Sequence, residues 1–63
     1  MTRRLKTIIV DDEQDAVGFI DSIIGEYCKS LVVVGKANNV VQGVAEINEK
    51  KPDLVFLDVE MPN

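Results

Sequence analysis

Three short apolar runs constrain this chain more than any other feature: Thr7-Ile8-Ile9-Val10, Leu31-Val32-Val33-Val34 and Leu54-Val55-Phe56-Leu57. Each is rich in β-branched or aromatic residues, and none alternates apolar with polar. That pattern belongs to strands buried on both faces, not to strands with one wet side. Between the runs the period changes to three and four. Ala16, Phe19, Ile20, Ile23, Ile24 and Tyr27 recur as one helical face, with Asp15, Asp21, Ser22, Gly25 and Glu26 mostly off it. This predicts Tyr27 as core at the helix end. Asn38-Asn39 offers an N-cap for a second helix, whose expected face is Val40, Val44 and Ile47, flanked by Val41 and Ala45. Lys50 and Lys51 suit the C-terminal end of its dipole, and Pro52 stops it. Asp53 then opens a turn into the third run.

The order is β-α-β-α-β. Strands alternating with helices predict an α/β fold with a parallel sheet, and strands apolar on both sides require helices on both faces. No repeat, linker or low-complexity tract suggests an internal boundary. A core this small rarely supplies more than about 3–5 kcal/mol of net stability. Cys28 is the only cysteine, so it is read as a small core residue of a protein from a reducing compartment.

With 7 basic and 11 acidic residues the net charge is −4, and the cations are scattered. Nucleic-acid binding through this segment is not expected. The apolar run after Arg3-Arg4-Leu5-Lys6 is too short for a signal-peptide core or a membrane span. A soluble, cytoplasmic protein with no membrane association is therefore expected. The chain has no His, which excludes an imidazole base and a His-ligated zinc site.

Carboxylates end two of the three runs: Val10 leads into Asp11-Asp12, and Leu57 into Asp58. In a parallel sheet all strand C-termini share one edge, and open α/β folds bind ligands outside that edge. If the first and third strands are neighbours, about 4.8 Å apart, three carboxylates converge. Their repulsion calls for protons or a cation. Oxygen donors without imidazole or thiol select a hard divalent ion, with Mg2+ the natural candidate. Glu13 is assigned to the helix start, and Asp15, Asp21, Glu26, Glu46 and Glu49 to solvated faces.

At these positions the chain resembles a known family. Ile8-Ile9-Val10-Asp11-Asp12-Glu13 and Pro52-Asp53-Leu54-Val55-Phe56-Leu57-Asp58-Val59-Glu60-Met61-Pro62 look like the two N-terminal signatures of response-regulator receiver domains in two-component signalling. The helix, strand and helix between them match as well. The resemblance implies a flavodoxin-like, doubly wound fold with strand order 2-1-3 for the part present. It implies that Asp58 is the phosphoacceptor, taking a phosphoryl group from a sensor histidine kinase. It further implies a Mg2+ ion held by Asp11, Asp12, Asp58 and the backbone carbonyl of Glu60. Met61 and Pro62 would shape the loop carrying that carbonyl. Such a module catalyses its own phosphorylation and is not a turnover enzyme. A downstream DNA-binding output domain, and hence transcription regulation, would be typical.

A complete receiver resembles five strands in the order 2-1-3-4-5, with a Ser or Thr ending strand 4 and a Lys ending strand 5. Residues 1–63 are thus expected to form a partial receiver without those two strands. Lys6 cannot replace the missing Lys, since it lies roughly 15 Å away at the other end of its strand. The third strand would be an open edge, and a homodimer completing the sheet is expected. Two other readings compete: a truncated assembly fragment without phosphorylation, and a Mg2+-dependent aspartyl-phosphate hydrolase. The hydrolase is weaker because Glu60 sits in a VEMP loop after a separate Asp pair. An EF-hand over Asp11–Asp15 lacks the alternating ligands and central Gly.

Overall fold

The computed structural model of the chain describes residues 4–58. In chain order the elements are strand β1 (Leu5–Val10), helix α1 (Gln14–Tyr27), strand β2 (Leu31–Ala37), helix α2 (Val40–Lys50) and strand β3 (Leu54–Leu57). The strands form one sheet in the order β2-β1-β3, with both pairings parallel. The expected α/β topology is the observed one.

The apolar run of β1 occupies the central place. Thr7, Ile8 and Ile9 are completely buried and Val10 almost so. Successive side chains of a strand point to opposite faces, so Ile8 and Ile9 seed two separate cores. Ile8 and Val10 pack with Ala37, Val34, Val55 and Ile47, the last from α2. Ile9 packs with Val17, Ile24 and Ile20 of α1, and with Cys28, Leu31 and Val33. One helix thus covers each face. Each fully buried isoleucine contributes about 1.5–3 kcal/mol relative to exposure. Thr7 is tolerated at the centre because its hydroxyl donates to the Leu5 carbonyl at 3.2 Å.

The helix ends follow local chemistry. Asn39 is the N-cap of α2, its side-chain oxygen accepting from the Gln42 amide at 2.8 Å. Asn39→Ala should lower stability by about 1 kcal/mol, read as a shifted urea midpoint at unchanged slope; an unmoved midpoint would refute the cap. Lys51 ends α2 in the left-handed conformation at φ 47°, and its amide bonds back to Ile47. Lys29 donates to the Gly25 carbonyl at 2.9 Å, satisfying the end of α1. At the entrance to β3, Asp53 grips Lys6 twice: its amide donates to the Lys6 carbonyl and its carboxylate accepts from the Lys6 amide, both at 2.8 Å.

Several expectations about side chains are corrected. Tyr27 is exposed, not core, and Phe19 is two-thirds exposed, with Ile23 also open. The inward face of α1 is Val17, Ile20 and Ile24: Ile20 and Ile24 are on the expected face, and Val17 joins them in place of Phe19, Ile23 and Tyr27. In α2, Val40 and Val44 are exposed and the helix touches the sheet through Gly43 and Ile47. A Cβ at Gly43 would lie 3.1 Å from both methyls of Val10, so the absence of a side chain sets how closely α2 approaches β1. The physical reason is width: a three-stranded sheet offers one helix per face a narrow contact, and an apolar stripe wider than that contact stays wet. Leu54, Phe56 and Leu57 of β3 are exposed for the same reason. Two residues expected as solvated charges are paired instead: Asp21 with Lys36 at 2.6 Å, and Glu46 with Lys50 at 2.8 Å. β2 runs beyond the expected Leu31–Val34 segment, through Gly35 to Ala37.

Candidate functional site

The C-terminal ends of β1 and β3 lie side by side, Val10 opposite Leu57. The chain continues from both into carboxylates. The Asp11 amide donates to the Ala37 carbonyl and the Asp58 amide to the Val10 carbonyl, each at 3.1 Å. Both backbones are therefore held by extensions of the ladder, and the sheet itself aims the acidic residues. Asp11 also receives the Glu13 amide on its carboxylate at 3.0 Å, a local turn that leads the chain into α1. Glu13 is the N-cap residue of that helix, as its assignment to the helix start required.

Asp11, Asp12 and Asp58 come together: one carboxylate oxygen from each lies within 4.8 Å of the others. Asp12 is exposed, while Asp11 and Asp58 are half-buried. A cleft of about 230 Å³ beside them is lined by Val10, Ile20, Phe56 and Leu57 together with Asp11, Glu13 and Asp58. A larger cleft, about 350 Å³, lies between the first turns of α1 and the end of β2. Its lining includes Gln14, Lys36, Asn38 and Gln42 but no carboxylate, so the chemistry belongs to the smaller one.

The donor set fits a hard divalent cation. Three carboxylates carry a formal −3 in a space about twice a Mg–O bond of about 2.0–2.1 Å, with no nitrogen or sulfur donor in the group. The predicted ligand carbonyl of Glu60, with Met61 and Pro62, lies outside the described residues. Lys6 sits at the opposite end of β1, where its ammonium reaches the Lys50 carbonyl at 3.4 Å. It is no part of the site, as expected.

Sequence reasoning found all three carboxylates but missed what aims them. The backbone bonds of Asp11 and Asp58 depend on strand pairing, which no local motif announces. It also assigned Glu46 to a solvated face and Lys50 only to the helix dipole. Their i, i+4 spacing was visible, but the carbonyl that Lys50 reaches was not. Among the described residues no helix is long and apolar enough to cross a membrane.

Comparison with known proteins agrees with the geometry. The sequence profile of the response regulator receiver domain matches residues 7–63. The chain is 43% identical over 58 residues to an uncharacterized response regulatory protein of Vibrio parahaemolyticus, and 38% identical to one of Vibrio cholerae. It is 34% identical over 58 residues to the transcriptional regulatory protein BtsR of Escherichia coli K12. In each case the match covers 92% of this chain and 24% of the relative, so the chain spans about a quarter of their length. No solved structure matches it significantly. With a parallel β2-β1-β3 sheet, three carboxylates at its C-terminal edge and a profile matching nearly the whole sequence, the chain belongs to the response regulator receiver domain family.

Proposed function

We propose that Asp58 is the phosphoacceptor of a two-component response regulator and takes its phosphoryl group from the phosphohistidine of a sensor histidine kinase. The observation that carries this reading is the convergence of Asp11, Asp12 and Asp58 within 4.8 Å at the sheet edge. In the transfer, a carboxylate oxygen of Asp58 forms a bond to phosphorus as the P–N bond to the kinase imidazole breaks. The bonding pair leaves with the imidazole nitrogen, and Asp58 becomes an acyl phosphate.

Asp11, Asp12, Asp58 and the Glu60 carbonyl would hold Mg2+. The ion supplies neutralisation of the phosphoryl oxygens and fixes their orientation. The protein's own part is placement. The Asp58 amide bond to Val10 fixes where the nucleophile leaves the sheet, and the Asp11 amide bond to Ala37 does the same for its partner. Leu57 and Phe56 line the same cleft as the acceptor carboxylate. The output of the whole protein is read as transcription control, in line with the name of the Escherichia coli relative.

The test uses the protein as it is made in the cell, incubated with acetyl phosphate and Mg2+ and read by intact mass. The wild type should gain one phosphoryl group, and neither Asp58→Asn nor the wild type in EDTA should gain any. Labelling that survives Asp58→Asn would overturn the assignment. Multiple turnover of phosphoesters would favour the hydrolase reading instead.

A further inference from the structure

The pairing of β1 with β2 is not one continuous register. Thr7 faces Val33, but Ile8 faces Gly35, so Val34 is an extra residue on β2. Such a bulge changes which face every later residue points to. The contacts show the change. Val33 packs on the α1 side with Ile9, and Val34 on the α2 side with Ile8. A Cβ on Gly35 would also meet Ile8 and the Glu46 carboxylate, so Gly35 faces α2 as well. A side chain on Gly35 would displace the Glu46 carboxylate from that space. Beyond the bulge Lys36 turns to α1, pairing with Asp21, and Ala37 enters the α2-side core.

The bulge is held from α2. The Lys50 ammonium donates to the Val34 carbonyl at 2.9 Å and to the Glu46 carboxylate at 2.8 Å. That carboxylate in turn fills the space over Gly35. The hydrogen bond to Glu46 holds Lys50 above its ordinary value, outweighing the opposing effect of burial, with the charges of Glu46 and Glu49 adding to it. Lys50 is therefore a permanent donor at neutral pH.

The consequence reaches the acidic edge. The Asp11 amide bonds to the Ala37 carbonyl, a pairing that exists only because the register has shifted by one. Without the bulge the Thr7–Val33 register would run on and present Lys36 at that point. We infer that Lys50 is a positioning residue: by clamping the Val34 carbonyl, and Gly35 through Glu46, it maintains the register that fixes Asp11 at the metal-binding edge. The metal part of this inference rests on the function proposed above; the register part does not.

Hydrogen exchange separates positioning from simple stabilisation, because two amides bracket the bulge. The Leu5 amide bonds to Ser30 before it, and the Asp11 amide to Ala37 after it. In Lys50→Met the Asp11 amide should exchange about tenfold faster relative to that of Leu5, the effect of losing one charged hydrogen bond near a local opening. Mg2+ affinity measured by calorimetry should fall by a similar factor. Lys50→Arg should restore both, since a guanidinium can reach the same carbonyl and carboxylate. A variant lacking Val34 has no bulge to clamp, and its Asp11 amide should be indifferent to Lys50→Met. Equal acceleration of both amides, or of neither, would overturn the inference even if the wild type binds Mg2+. A selective change at Asp11 in a protein that never binds Mg2+ would support the register inference and reject the proposed function.

Discussion

Ile9→Ala should cost about 2–5 kcal/mol of stability, read as a large fall in the urea midpoint. Ile9 is fully buried at the centre of the sheet, where it meets Val17 and Ile24. Large-to-small changes at such sites cost about 2–5 kcal/mol, because lost transfer energy and the residual cavity add. Ile9→Val, removing one methylene, should cost about 0.5–1.5 kcal/mol and remain folded. Phe19→Ala and Tyr27→Ala, at exposed positions of the neighbouring helix, should change stability by no more than about 0.5 kcal/mol. Urea titration followed by far-ultraviolet circular dichroism measures all four. An Ile9→Ala midpoint matching the wild type would contradict the packing described here, as would a large loss in Tyr27→Ala.

The second large effect has opposite signs with and without metal. Three carboxylates within 4.8 Å repel one another. At that separation each pair is worth about 1 kcal/mol in a water-like dielectric, the appropriate limit for an edge where Asp12 is exposed. Asp12→Asn should therefore be more stable than the wild type in EDTA, by about 2 kcal/mol, because it removes two of the three pairs. Adding Mg2+ should reverse the order. Binding stabilises the folded wild type by RT ln(1 + [L]/Kd), about 2.7 kcal/mol at a hundredfold excess over Kd, and the variant should gain little. Thermal melts across a Mg2+ series decide the matter. A variant with the same Mg2+ response as the wild type would remove Asp12 from the ligand set. A variant less stable in EDTA would show that Asp12 serves the fold rather than the site.

These predictions differ in how much of their basis is legible in the sequence. Ile8-Ile9-Val10 announces a strand because a short run apolar at every position suits burial between two helical layers. The same pattern in Leu54–Leu57 stays largely exposed at the edge, so which run is central is not written in it. Asp11, Asp12 and Asp58 announce an edge site because parallel strands end together. Asn39 announces its cap because the bond it makes is to its own chain three residues on. Each of these is a local or topological rule that needs no coordinates.

The helix faces were only half legible. Periodicity placed Phe19 on the apolar face and left Val17 off it, whereas Val17 is buried and Phe19 is not. That choice depends on the angle at which α1 lies on three strands, a property of both surfaces at once. Gly43 was similarly silent. Its value lies in the Val10 methyls against it, which the sequence separates by more than thirty residues.

The sequence by itself determined the order of elements, the parallel sheet and the identity of the three clustered carboxylates. These follow from hydrophobic period and chain direction, which are written along one dimension. Only the tertiary structure decided the register: the extra residue Val34, the Lys50 clamp upon it and the Ala37 carbonyl that receives the Asp11 amide. A bulge is a relation between two strands and the helix above them, and no run of residues encodes it alone.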